Sequence, residues 1–243
     1  PLLLDWLARR FMEGGWSVKD LHRLILRSNT YRQNSSHPRN QQFAKLDLEN
    51  RLLWKGNLRR LEAEQIRDSI LAVADRLDRS IGGKTLPLRN RQFVFNHTSE
   101  DHTKYDSVRR ALYLPVIRNI LYSFFSQFDY PDPTMPTGAR NATVIAPQNL
   151  LLMNYELVME SADAFARSIL REFPDDSQRV HAAYRKALGR EPSSTETTRA
   201  IRFVSDVMAE KDESADPKSD PRRFAWALFC QSLMAGNEFI YLR

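Results

Sequence analysis

Apolar side chains recur at every third or fourth position in several segments of this 243-residue chain, a spacing that places them on one face of an α-helix. Residues 61–79 form one such segment, and the pair Gly82-Gly83 that follows is typical of a helix end. Ser193 and Glu196, three residues apart, form a capping box at the start of another helix. The sequence therefore predicts a mainly α fold, an irregular helical bundle with long loops and at most short strands.

The N-terminal segment predicts a helical hairpin. A first amphipathic helix ends at Gly14-Gly15, and Ser17 with Asp20 resembles a capping box that begins a second helix. The chain opens at Pro1 within the first apolar stripe and has no initiator Met, so we expect a fragment of a longer, multidomain protein.

The middle of the chain predicts less regular structure. Residues 84–106 show no sustained period, so we expect an irregular loop with a short strand at residues 92–95. Pro115 interrupts the apolar segment that follows, which predicts a helix or strand up to Leu114 and a helix after the proline.

The C-terminal half returns to helical spacing. Pro147 is suited to the first turn of a helix, and Asn154 is a candidate cap that would break this helical stretch. A charged linker at residues 211–221 precedes a final helix at about residues 223–236, which is apolar almost all round and therefore predicted to lie in the core. We expect one helical domain over residues 1–243.

Charge and composition limit the possible partners. The net charge of +6 is uneven, because residues 1–120 carry +9 and residues 121–243 carry −3. A basic half would suit nucleic acid or another polyanion, but these arginines alternate with acidic residues and form no basic run, which argues against nucleic-acid binding. No apolar run approaches the roughly 20 residues that span a bilayer, so we expect no membrane span.

The sequence has no complete catalytic or cofactor motif. It lacks a Gly-x-Ser-x-Gly elbow, a phosphate-binding glycine loop and a Cys-x-x-Cys-His haem attachment, so we expect no cofactor in this chain. Cys230, the one cysteine, lies among apolar residues and is typical of an inert core thiol. His97 and His102 flank two acidic residues and are weak metal candidates, since their spacing matches no zinc pattern and a hydrated surface loop is the favoured explanation.

Residues 106–154 concentrate arginine and amide side chains among aromatic residues, and they contain the candidate ligand-binding set. That set is Arg109, Arg110, Arg118, Arg140, Asn141 and Gln148. One interpretation, which we favour, is an internal hydrogen-bond network that holds a proline-rich loop. The alternative is a cleft that binds an anionic or sugar ligand through guanidinium forks and amides.

The same stretch resembles a known family. Residues 109–119, Arg-Arg-Ala-Leu-Tyr-Leu-Pro-Val-Ile-Arg-Asn, are similar to the Arg-Arg-Ser-Leu-Tyr signature of the planctomycete secreted-protein family called domain of unknown function 1553. Further similarity lies in the segments 4–8, 21–25, 28–32, 47–54, 64–68, 128–129, 137–143, 147–154 and 236–241, where Gly236 departs from the family's usual serine. The resemblance covers nearly the whole chain.

The resemblance implies a context rather than an activity. Such domains lie near the C-terminal end of exported bacterial proteins, periplasmic or secreted, beside a companion domain and often a haem c domain upstream. We therefore expect an accessory or partner-binding module whose partners include adjacent domains of the same protein. The alternatives are a hydrolase or redox enzyme that acts on a polysaccharide through the arginine- and asparagine-rich cleft, and a nucleic-acid or polyanion binder.

Overall fold

The structure is a computed structural model that describes residues 2–85, 107–116, 121–210 and 220–242. Over these residues it is mainly α-helical, as predicted, with one short two-stranded sheet. Its contacts divide into two compact units, Pro1–Arg59 with Tyr241–Arg243, and Arg60–Ile240. The expectation of one domain over the whole chain stays a prediction.

The smaller unit contains three helices, α1 (Leu2–Glu13), α2 (Val18–Arg27) and α3 (Asn40–Leu46). The predicted hairpin of the first two is confirmed. Ser17 Oγ accepts a hydrogen bond from the backbone N–H of Asp20 at 3.3 Å, which satisfies one of the free amides at the start of α2.

The larger unit contains most of the helices. They are α4 (Ala63–Val73), a 3₁₀ turn at Ala111–Tyr113, α5 (Ser123–Gln127), α6 (Ala146–Asn154), α7 (Glu156–Glu172), α8 (Asp176–Leu188), α9 (Ser194–Ala209), α10 (Pro221–Ala235) and α11 (Asn237–Ile240). Strand β1 (Arg59–Arg60) pairs with strand β2 (Tyr241–Leu242).

Helix α10 is the centre of the larger unit. It packs most extensively against α7 and also contacts α6, α8, α9 and α11. Trp226, Phe229, Cys230 and Met234 are buried along it, so the expectation of a buried final long helix is confirmed. The helix begins at Pro221, with Asp220 as its cap, and its first turn is solvent-exposed.

Helix α4 is shorter than its apolar pattern predicts. The pattern continues to residue 79, but the helix ends at Val73, well before Gly82-Gly83. Asp75 adopts a left-handed backbone conformation with φ +56°, and the Leu77 N–H turns back to the Leu71 carbonyl. A left-handed residue ends a helix whatever apolar spacing follows it.

Two other boundaries differ from the sequence prediction. The stretch before Leu114 forms a single 3₁₀ turn, because a backbone near Pro115 is directed away from helical geometry. The break predicted at Asn154 falls one residue later, at Tyr155, whose extended backbone separates α6 from α7. The predicted strand at residues 92–95 and residues 211–219 of the predicted linker lie outside the described residues.

An ion-pair cluster joins the start of α9 to α11. Arg190 donates two hydrogen bonds to Glu196, at 2.7 and 3.0 Å, and two to Glu238, at 2.7 and 2.8 Å. Glu196 also accepts from the Ser193 N–H, completing the predicted capping box. Hydrogen bonds from Arg190 and then from Ser193 lower the pKa of Glu196 to about 2.

This cluster predicts a contribution to stability that disappears in acid. The pKa of Glu196 is depressed in the folded state, so its stabilisation is complete above the unfolded value near 4.3 and is lost as pH falls towards about 2. In Glu196→Gln the glutamine preserves the capping box and removes the charge. We expect the variant to be about 1 kcal/mol less stable at pH 7, and we expect this difference to disappear as pH falls through about 2, measured by urea unfolding across pH. A constant difference at every pH would contradict the prediction.

Candidate functional site

A buried arginine lies at the base of the loop between α5 and α6. Arg60 Nη2 donates to Asp129 Oδ2 at 2.6 Å and to the Phe128 carbonyl at 3.2 Å. Its Nη1 donates to the Thr143 carbonyl and, at 3.4 Å, to Gln148 Oε1. This guanidinium therefore connects residues at both ends of the loop, and we call the cluster of these five residues the Arg60 cluster.

Asp129 closes the loop from the other side. Its carboxylate accepts hydrogen bonds from the Thr143 N–H at 2.9 Å and from the Thr143 hydroxyl at 2.8 and 3.0 Å. Burial opposes ionisation, but the hydrogen bonds from Thr143 and then Arg60 outweigh it and lower the pKa of Asp129 below its ordinary value. Asp129 has φ +58°, a conformation that aspartate tolerates better than most residues.

Gln148 orients helix α6 through this cluster. Its Nε2 donates to the Gln127 carbonyl at 2.9 Å, and the side chain is buried, with 2% of its surface exposed. Leu152, one turn later on the same face, is also buried. Because Gln148 must face the interior to reach its partners, the opposite face of α6 faces solvent.

That solvent-facing side is apolar. Leu150 and Met153 are each 58% exposed, although both are large hydrophobic side chains. Val144 and Ile145, which immediately precede α6, are also exposed. We call these four side chains, with Ala146, the α6 surface.

No charged residue interrupts this region. Residues 141–155 contain no Asp, Glu, Lys, Arg or His, while charged residues make up 27% of the whole chain. Every residue from 141 to 147 is exposed. A buried glutamine beneath an exposed, charge-free apolar face reverses the usual arrangement of a surface helix.

Arg140 lies at the edge of the same loop and is held within the chain. Its two terminal nitrogens donate to the Glu64 carboxylate at 2.7 and 3.0 Å, and Glu62 lies 3.1 Å away. The guanidinium also lies over the Tyr130 ring. The hydrogen bond to Glu64 raises the pKa of Arg140, so the guanidinium is fully charged and paired.

Arg109 and Arg110 lie beside α4 with a different set of partners. Arg109 donates to the Ser80 carbonyl at 2.7 Å and lies over the Tyr113 ring. Its backbone carbonyl accepts a hydrogen bond from the fully buried Arg67 at 2.9 Å. Arg110 is exposed.

The predicted ligand-binding set is therefore distributed. Among the residues that the structure describes, Arg109 and Arg140 share no hydrogen-bond partner, and Asn141 is exposed on the loop while Gln148 is buried in the Arg60 cluster. Arg118, His97 and His102 lie outside the described residues. Binding of an anion or sugar by this set stays a prediction.

The sequence analysis did not predict that the residues of the Arg60 cluster lie together. Arg60 and Thr143 lie 83 positions apart, and no local pattern joins them. One local signal was available. Aspartate adopts a left-handed backbone more readily than most residues, and Asp129 lies in a segment that the family resemblance includes.

Chemistry elsewhere in the described residues is limited. No group of three or more His, Cys, Asp or Glu side chains in the part of the chain described could hold a metal ion. Cys230 is fully buried, and burial raises the pKa of its thiol above the ordinary value. Over the same residues, no helix is both long and apolar enough to span a bilayer.

Comparison with known protein families assigns the chain to one family. Residues 1–204 match the family PSD1, described as a protein of unknown function (DUF1553). The match covers most of the chain, so the chain belongs to this family. No curated protein and no solved structure matches it.

The Arg60 cluster predicts a contrast between two arginines. Arg60→Met removes the cation that pairs with Asp129 and the donor to two buried carbonyls, so we expect a loss of about 3–5 kcal/mol in the free energy of unfolding. Arg140→Met removes a half-exposed ion pair and should cost under about 1 kcal/mol. Urea unfolding followed by circular dichroism measures both. Equal losses would show that burial of Arg60 carries no special weight.

Proposed function

We propose that this chain is a non-catalytic docking module of an exported multidomain bacterial protein, and that the α6 surface contacts an adjoining domain of that protein. The observation that carries the proposal is the exposed apolar face of α6 above the buried Gln148. Interface cores are depleted of charged residues, and residues 141–155 have none.

The chemistry of this surface selects among partner classes. A polyanion such as nucleic acid requires cations at its contact surface, and residues 141–155 supply none. An apolar, uncharged patch gains free energy when another protein surface covers it. The amides of Asn149 and Asn154, both exposed beside the apolar face, suit the polar edge of such an interface.

The loop beneath the surface favours binding for a second reason. Its two ends are joined by Arg60 and Asp129, so the segment that leads into α6 is already ordered before a partner arrives. A surface that is ordered in advance loses less conformational entropy on association.

The alternative, an enzyme with an arginine- and asparagine-rich cleft, has less support. Arg140 is already paired with Glu64, and Arg109 is already bound to the Ser80 carbonyl. A ligand would have to displace these partners to reach the guanidinium groups. The family resemblance supports export and the neighbourhood of a haem c domain, which is one candidate for the adjoining domain.

A cysteine-accessibility experiment tests the docking proposal. Cys230 is fully buried, so a maleimide reports on an introduced cysteine instead. Leu150→Cys places the probe on the α6 surface, and Met208→Cys places a control on α9, where the native methionine is 44% exposed. Both variants are labelled in this chain alone and in the longer, multidomain protein that the proposal requires.

The two probes should behave differently. In the longer protein we expect Leu150→Cys to react at least about tenfold more slowly than in the chain alone, because the core of an interface excludes solvent. Met208→Cys should react at the same rate in both. Unchanged labelling at position 150 would overturn docking at this surface, and turnover of a polysaccharide by the isolated chain would overturn the non-catalytic role.

A further inference from the structure

The α1–α2 hairpin of the smaller unit contains a groove that is separate from the α6 surface. The groove has a volume of about 530 Å³, and we call it the hairpin groove. Phe11, Leu21 and Leu24 supply its apolar lining, while Arg10, Arg23 and Arg27 supply its cationic lining.

The two helices that form the groove have partly buried apolar side chains but no fully buried one. α1 has 12 residues and α2 has 10, and neither contains a buried residue. Helices of this length are marginally stable unless an apolar face packs against another element. The apolar stripe of the hairpin therefore has a contact surface still to be covered.

Shape favours a helix as the occupant. A trough between two adjoining helices accepts the side-chain ridge of a third helix, which is the usual way in which helices pack. A segment that follows α2 along its 10 residues would extend over about 15 Å, or roughly three turns. Recognition of an amphipathic helix in an apolar groove is a recurrent mode of peptide binding.

The charge of the groove lining indicates which side chains the edges of the bound helix should carry. Arg23 pairs with Asp20 at 2.6 Å, whereas Arg10 and Arg27 form no ion pair within the described residues. Glu13 is the other acidic lining residue, so the charged lining remains net positive. Acidic side chains on the occupant would complement this lining.

We propose that the hairpin groove binds an amphipathic α-helix of a protein partner, apolar along one face and acidic along both edges. An anionic bilayer is the less suitable surface, because a bilayer is flat, whereas a trough between two helices matches the side-chain ridge of a third helix. The proposal concerns the smaller unit only and does not depend on the α6 surface.

Defined peptides test the proposal on the whole chain. The probe is a fluorescein-labelled, end-capped 14-residue peptide with leucine on one helical face and glutamate on both edges. One control replaces every glutamate with lysine, and a second scrambles the acidic peptide so that its leucines no longer share a face. Fluorescence anisotropy measures binding of each peptide, and light scattering measures binding of the chain to phosphatidylglycerol vesicles.

Charge-reversal variants add a matched comparison. Arg10→Glu with Arg27→Glu changes two lining residues, and Arg9→Glu changes an exposed neighbour on α1 that does not line the groove. Circular dichroism establishes that each variant keeps its helix content. All three positions are exposed, so the substitutions remove no buried contact.

We expect the groove to prefer the acidic peptide, and we expect reversal of the lining charge to reverse that preference. The acidic peptide should bind at least about tenfold more tightly than the lysine peptide and the scrambled peptide, because complementary edges and one apolar face are both required. The Arg10→Glu, Arg27→Glu variant should reverse this preference, and Arg9→Glu should change it less than about twofold. Equal binding of all peptides, no binding of any, an equal effect of Arg9→Glu, or tighter binding to the vesicles than to the acidic peptide would overturn the proposal.

Discussion

The ion pair between Arg60 and Asp129 is the interaction on which the arrangement of the larger unit's surface depends. Arg60 Nη1 and Nη2 reach the Phe128 carbonyl, the Thr143 carbonyl and Gln148 as well as the Asp129 carboxylate. A buried charge is tolerated when its hydrogen bonds are largely satisfied, and here only Nε lacks a partner among the atoms described. Since Gln148 turns inward to join the cluster, the same pair determines which face of α6 meets solvent.

A second buried guanidinium repeats this solution beside α4. Arg67 is fully buried and donates to the backbone carbonyls of Ser107 and Arg109. Irregular chain segments leave carbonyls that no helix or sheet satisfies, and a planar fork with five donors can bind several of them at once. Part of the arginine content of the basic half is thus explained by internal bonding, which agrees with the absence of a basic run suited to nucleic acid.

The helices could be predicted from sequence wherever a local device sets their boundaries. The Ser17 cap, the Ser193–Glu196 box and the left-handed Gly189 at the end of α8 all lie where residue type alone places them. Prediction was wrong about the end of α4, because the left-handed conformation of Asp75 depends on its surroundings rather than on apolar spacing.

The orientation of α6 could not be predicted for a related reason. Its sequence is apolar on most faces, so periodicity selects no inward side, and the selection comes from Gln148 reaching a guanidinium 88 positions away. Gln148 was singled out from sequence as a candidate ligand contact, while the favoured interpretation of its segment was an internal hydrogen-bond network that holds the proline-rich loop. The structure places it in a buried network that supports a surface formed by other residues.

An exposed apolar surface is costly for a protein in water, and its persistence here has a physical basis. Rotation of α6 by half a turn would bury Leu150 and Met153 but would bring Gln148 out of the cluster and leave Arg60 with fewer partners. Covering the two apolar side chains would gain about 1.5–3 kcal/mol each. The cost of removing partners from the buried charge exceeds that gain only if the whole cluster is disrupted together. Asp129 has a left-handed backbone and accepts from both the N–H and the hydroxyl of Thr143. Joint disruption is therefore the expected consequence, since the loop and α6 are connected through the same carboxylate and guanidinium. A surface held in this way is rigid before it meets a partner, and rigidity of an uncharged apolar face is the property that a docking surface requires.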